Sequence, residues 1–299
     1  MTTRTMRRSR VSSSSELTRQ TTATGAFALL LAACLFASAA PAVAQDPAVA
    51  RRNLRLPLPD FFTGTPNTYW SVPAMGANTP GGFGAGWGDF YVGLGGTSRA
   101  RFQDENFSDA DAAAAFGLGF GDPIRNIGFE VTVNSYSTFE HQFFTRSGID
   151  FHVHRQFLGD FSAAVGWENA ITSGEPDAGE SFYFVVSKWT SLREDPNKPF
   201  SALLVTGGLG NGRFRSQQNV DDDVETVNVF GSVALRVLAP LSLVADWTGQ
   251  DLTAVASVAP FRNVSLLLLG GFADITGNTG DEGGARFVAS ISYGLSLRG

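Results

Sequence analysis

Asp150, His152 and His154 are the residues of this chain that most invite a chemical reading. Their spacing of two places all three on one face of a strand. Two imidazoles beside a carboxylate are donors that zinc accepts. They share a single strand, however, and the sequence marks no fourth donor, so a hydrogen-bonded polar network is expected and no metal. Ser162 falls on the same face of the following strand. Serine and histidine from neighbouring strands are what a barrel-embedded, lipid-modifying hydrolase would use. No motif singles them out, so no catalytic residue is assigned and the chain is read as a non-enzyme without cofactors.

Two other patterns reduce to simpler chemistry. Gly117-Leu118-Gly119 and Gly207-Gly208-Leu209-Gly210-Asn211-Gly212 have no following helix to supply an anion site, and read as strand ends and bends. Asp221-Asp222-Asp223, with Glu225 nearby, lacks the spaced ligands of a calcium loop and reads as a solvated tip.

The elements that position these residues are strands. From 286 to 297, Phe287, Ala289, Ile291, Tyr293, Leu295 and Leu297 alternate with Val288, Ser290, Ser292, Gly294 and Ser296, an apolar face against a small or polar one. Lipid outside and a polar lumen inside produce that pattern. Eleven more period-two stretches precede it: 89–97, 112–120, 127–136, 148–157, 161–169, 181–191, 200–210, 226–238, 241–248, 252–259 and 264–273. In 181–191 both faces are mixed, and no stretch after Gln45 reads as an amphipathic helix.

Long gaps follow strands one, three, five, seven and eleven, and short ones follow the even strands, with 249–251 the exception. Outer-membrane barrels have short periplasmic turns and longer outer loops. The expected fold is therefore all-β: a closed antiparallel transmembrane β-barrel of about twelve strands, within a range of ten to fourteen, spanning 89–299. Its expected lumen-lining residues are Glu130, Asn134, Asp150, His152, His154, Glu168, Asn228, Arg236 and Asp246. Tyr91, Tyr136, Trp167, Tyr183, Trp189, Trp247 and Tyr293 are expected at the membrane interfaces.

The N-terminal region differs in kind. Arg4, Arg7, Arg8, Arg10 and Arg19 precede an apolar run from Ala26 to Ala40 and an Ala42-Val43-Ala44 exit, as in a signal peptide cleaved after Ala44. Cleavage would remove the sole cysteine, Cys34. Taking five arginines and Glu16 from the chain's 22 basic and 28 acidic residues leaves 17 and 27, a net charge of −10. That balance excludes nucleic acid as a partner, because binding there rests on cationic contacts to phosphate. Residues 45–88, rich in Pro and Gly, show neither period and read as an arm or plug.

Asn228-Val229-Phe230-Gly231-Ser232, and Ala245-Asp246-Trp247-Thr248-Gly249-Gln250-Asp251-Leu252 running on to Ala259-Pro260-Phe261, resemble exported outer-membrane barrel proteins of cyanobacteria. The acidic-aromatic-x-Gly hairpin is more distantly similar to the barrels of YjbH-like, exopolysaccharide-associated proteins. Leu297-Arg298-Gly299 departs from the terminal aromatic usual in such barrels. The resemblance implies the outer membrane of a Gram-negative-type bacterium, where lipids and lipopolysaccharide, the barrel-insertion machinery, and polysaccharide or small solutes would be partners. The expected role is a passive channel or the membrane component of polysaccharide or solute export. The alternatives are the embedded hydrolase and a filled structural or anchoring barrel.

Overall fold

The computed structural model describes residues 72–99, 110–136, 146–158, 160–174, 179–262, 264–278 and 284–297. The proposed leader, 1–44, and the first part of the arm, 45–71, lie outside the described residues, as do parts of the longer connections.

Twelve strands form one closed sheet: β1 (Asp89–Thr97), β2 (Asp111–Gly121), β3 (Gly128–Ser135), β4 (Ser147–Gln156), β5 (Phe161–Ser173), β6 (Ser181–Ser191), β7 (Ala202–Gly210), β8 (Asn228–Leu238), β9 (Leu241–Trp247), β10 (Leu252–Val258), β11 (Leu266–Ala273) and β12 (Arg286–Ser296). Each pairs antiparallel with its neighbours in sequence, and β1 closes the ring on β12 from Asp89↔Ser296 to Thr97↔Val288. Closure removes the unpaired edges an open sheet would expose.

Alternation decides which way each side chain points. Val92, Phe184 and Phe287 are about half exposed on the outside, part of an apolar exterior. An aromatic stripe crosses this exterior diagonally, from Phe120 through Phe129, Phe151 and Trp167 to Phe182, with successive ring centroids 5.1–6.3 Å apart.

Four features of the structure bear on the sequence expectation, three of them departures from it. First, β5 runs to Ser173 rather than stopping near 169, because a bulge sits there: Ile149 pairs with Ile171 but Phe151 with Trp167, and Asn169 has φ +54°. The two extra residues interrupt the alternation without reversing it. The loop after β5 is correspondingly shorter, so the contrast between long loops and short turns is weaker than the sequence suggests.

Second, the mixed faces of β6 have a structural cause. Phe182 and Phe184 point outward, while Tyr183 and Val185 are buried inside with Ala164, Phe214 and Phe230. Third, the connection from β7 to β8 is not wholly irregular. It carries a 3-10 turn at Gly212–Phe214 and a short helix, α1 (Gln217–Asp221), capped by the Ser216 side chain. Phe214 packs into the lumen against Phe230 at 4.3 Å.

Fourth, most of the expected interfacial aromatics are elsewhere. Tyr91 and Tyr183 point into the lumen, where they hydrogen-bond Glu130 and His152. Tyr136 donates to Asn169 Oδ1 at 2.6 Å, and Trp189 packs beside the interior cluster of Leu204, Ala234, Val244 and Val255. The physical reason is parity: Tyr91 alternates with Phe90 and Val92, which face outward, so it belongs to the inner face.

Candidate functional site

The interior is occupied by the chain itself. Residues 72–88 form a re-entrant loop within the barrel. It begins at the short-turn end, where Ala74 N donates to Ser257 Oγ at 2.8 Å and Ser242 Oγ donates to Met75 Sδ at 3.1 Å. It reaches the opposite end at Asn78 and Thr79. There Asn78 N (3.2 Å), Thr79 N (3.1 Å) and Thr79 Oγ1 (2.8 Å) all donate to Asp246 Oδ2, and Asn78 Nδ2 donates to Thr253 Oγ1 at 3.0 Å.

The loop then descends. Gly82 N donates to Ser187 Oγ at 2.8 Å, while Ser162 Oγ donates to Gly82 O. Ala85 N donates to Glu130 Oε2 at 2.7 Å, and Trp87 N donates to Gly121 O at 2.7 Å as the chain leaves for β1. An irregular backbone cannot satisfy its own polar groups, and the lumen side chains do so instead.

Glycine is required where the loop lies flush on the wall. A Cβ on Gly82 would run into the backbone of Ser162 and Ser187.

All nine expected lumen residues lie on the inner face, but they do different things. Glu130 and Asp246 hold the loop, and Glu130 Oε1 also accepts from Tyr91 OH at 2.8 Å. Asp150 accepts from Asn134 Nδ2 at 2.6 Å and from the bulge residue Asn169 N at 2.7 Å. His152 Nδ1 lies 2.7 Å from Tyr183 OH, and the His154 ring is 5.1 Å from that of His152.

Glu168 forms a forked ion pair with Arg213, one arm at 2.8 Å, and Arg213 Nη1 donates to Asn78 O at 3.0 Å. Burial opposes the charge on this guanidinium, but the Glu168 carboxylate more than offsets it and holds the group above its usual value. Asn228, with its amide oxygen turned toward the loop, accepts from Ser216 N at 2.7 Å. Arg236 is remote from the others and binds its own hairpin turn, donating from Nε (2.9 Å) and Nη2 (2.6 Å) to Ala239 O.

The chemistry weighed for the histidines does not assemble. Both ring nitrogens of His154 lack a hydrogen-bond partner, and Ser162 Oγ is taken up by the carbonyls of Gly82 and Arg155. No serine–histidine pair forms. Among the described residues, no three His, Cys, Asp or Glu side chains are grouped to hold a metal ion. Asp221, Asp222 and Asp223 are exposed at the end of α1.

Sequence reasoning missed Tyr91, Tyr183, Ser187, Thr79 and Arg213. Tyr91 and Tyr183 could be found from parity, since each alternates with outward apolar neighbours, whereas Ser187, between Val186 and Lys188, carries no such mark. Thr79 and Arg213 lie in irregular segments where no period exists to mark them. The inner face is also less polar than expected, because Leu204, Ala234, Val244 and Val255 form an apolar cluster against Met75, Ala77 and Phe83 of the loop.

No protein family and no curated protein matches the chain. Among solved structures, a match is found to the crystal structure of Neisserial surface protein A (NspA), at 9% sequence identity, covering 70% of this chain and 97% of that one with a TM-score of 0.20. The closed twelve-stranded antiparallel barrel stands on its own strand order.

Proposed function

We propose that the protein is an outer-membrane β-barrel of the filled kind, a non-enzymatic membrane anchor closed to solute flow by its own residues 72–88. One observation carries this: Asp246, fully buried inside the barrel, accepts three hydrogen bonds from Asn78 and Thr79 at the far end of the loop. Three donors converging on one oxygen satisfy groups of the loop that would otherwise be buried without partners. A side chain so used is part of a packed interior, not the wall of a water-filled path.

The exterior supports placement in a lipid bilayer, with lipids and lipopolysaccharide around the barrel and the barrel-insertion machinery as its route there. A passive channel is disfavoured while the loop is seated. Polysaccharide or solute export, which the resemblance implies, would require the loop to leave the lumen. The test is conductance of the intact protein in planar bilayers. The expected outcome is silence, and discrete, sustained steps at low voltage would sink the proposal.

A further inference from the structure

The loop does not fill the barrel. A cavity of about 370 Å³ remains in the short-turn half, bounded by Val72, Met75 and Phe83 on the loop side and by Trp189, Leu204 and Leu267 on the wall. Its origin is a size mismatch. Where β12 lines the cavity its inner face carries only Ser292 and Gly294, so little projects there toward the bulky residues opposite.

Such a space is poorly suited to water, which needs several polar partners. Two of the polar groups on its wall are already engaged, Tyr91 OH by Glu130 and Thr132, and Thr206 Oγ1 by Ser187. An empty apolar cavity forfeits dispersion contacts along its whole lining. A cavity of about 150 Å³ lined by hydrocarbon already accepts benzene, so the present one has room, pro rata, for about fifteen carbons. It also falls within the size range and apolar character of ligand pockets.

Charge narrows the ligand further. The lining includes the carboxylates of Asp89 and Glu130 but no lysine, arginine or histidine. Nothing there would neutralise a fatty-acid carboxylate, and both acids would repel it. The cavity reaches the short-turn rim at Asp89, Ser265 and Gly294, where a polar group could meet solvent.

We infer that the short-turn half of the lumen is a binding site for one neutral alkyl chain of medium length, belonging to an amphiphile whose uncharged polar group sits at the rim. The inference rests on the loop being seated, since Val72, Met75 and Phe83 form one side of the site.

The test uses the intact protein in phosphatidylcholine nanodiscs with dodecanol carrying a photoactivatable diazirine, followed by peptide mapping. Annular lipid sites label only outward residues such as Phe184, Leu268 and Phe287. Occupation of the cavity adds label at inward Trp189, Leu204 and Leu267. Unlabelled dodecanol should remove the inward label first, with dodecanoate on the order of tenfold less effective. Ser292→Phe and Leu267→Trp, each checked for folding by the heat-dependent gel mobility of a closed barrel, should lose the inward label and keep the outward one.

Label confined to outward residues overturns the inference, as does inward label that survives both filling substitutions. Failure of the closed-barrel proposal would appear separately, as conductance.

Discussion

Asp246 is where the loop is most sensitive to a single change. Asp246→Ala would orphan two backbone N–H groups and the Thr79 hydroxyl at once. Each such group left buried and unpaired costs roughly 1–3 kcal/mol. The expected outcome is a loop that opens to added protease between residues 72 and 88, with conductance steps where the parent protein has none. Asp246→Asn keeps an acceptor oxygen and should show a smaller effect in the same two measurements. Gly82→Val attacks the same loop by volume, since its Cβ would meet the backbone of Ser162 and Ser187 rather than a flexible side chain. Asp160, in the turn between β4 and β5, tests a different effect. Burial pushes its carboxyl up, with Lys188 pulling it partly back, and its φ of +64° is one that asparagine tolerates well. The folded state therefore holds the proton more tightly than the unfolded chain, and the stability this confers at low pH is lost as pH rises through the elevated value. Asp160→Asn should raise the unfolding midpoint at pH 7 and leave it unchanged at pH 3, as measured by thermal unfolding in lipid.

Paired elements show how the interior is assembled, and where the sequence conceals it. Tyr91 pairs with Gly117 and Tyr183 with Gly166, and in both cases the phenol ring lies over the cross-strand glycine, where a Cβ would strike it. Gly166→Val should push Tyr183 away from His152 and from its edge contacts with Phe214 and Phe230 at 5.9 and 6.2 Å. Overpacking of this kind costs about 1–3 kcal/mol. Adding Tyr183→Ala to Gly166→Val should recover part of that loss in a double-mutant cycle of urea unfolding, because the second change removes the clash partner. The strands themselves are legible: alternation locates all but β6, whose faces are mixed, because a sheet with different media on its two faces imposes period two on its sequence. The end of β5 is not, because the bulge at Asn169 adds residues that belong to neither face. The loop is invisible for a different reason. Residues 72–88 satisfy their backbone through side chains far away in sequence, Asp246 to Thr79 being 167 positions apart, and no local pattern records such a pairing. Glu130 and Asp246 stand out as inward carboxylates, but only the path of the loop gives them their task.

At the scale of the whole molecule, closure and filling are separable properties, and they predict different behaviour. The ring is sealed by β1 against β12, and every strand is hydrogen-bonded on both sides without help from the loop. Shell stability should then depend on the strand ladder and on the apolar exterior, while the interior decides permeability. Deleting residues 72–85 retains Gly86, Trp87 and the entry to β1, so the shell loses none of its strands. The deleted protein should still partition to the membrane fraction and migrate differently with and without boiling, as a closed barrel does. It should unfold at lower urea concentration than the parent, since Met75, Ala77 and Phe83 no longer cover the apolar cluster around Leu204 and Val244. It should also conduct, because Asp246, Glu130 and Ser187 would then face water instead of the loop backbone. Loss of the heat-dependent mobility shift on deletion would show the opposite: that the barrel folds around the loop, and that filling is a condition of closure.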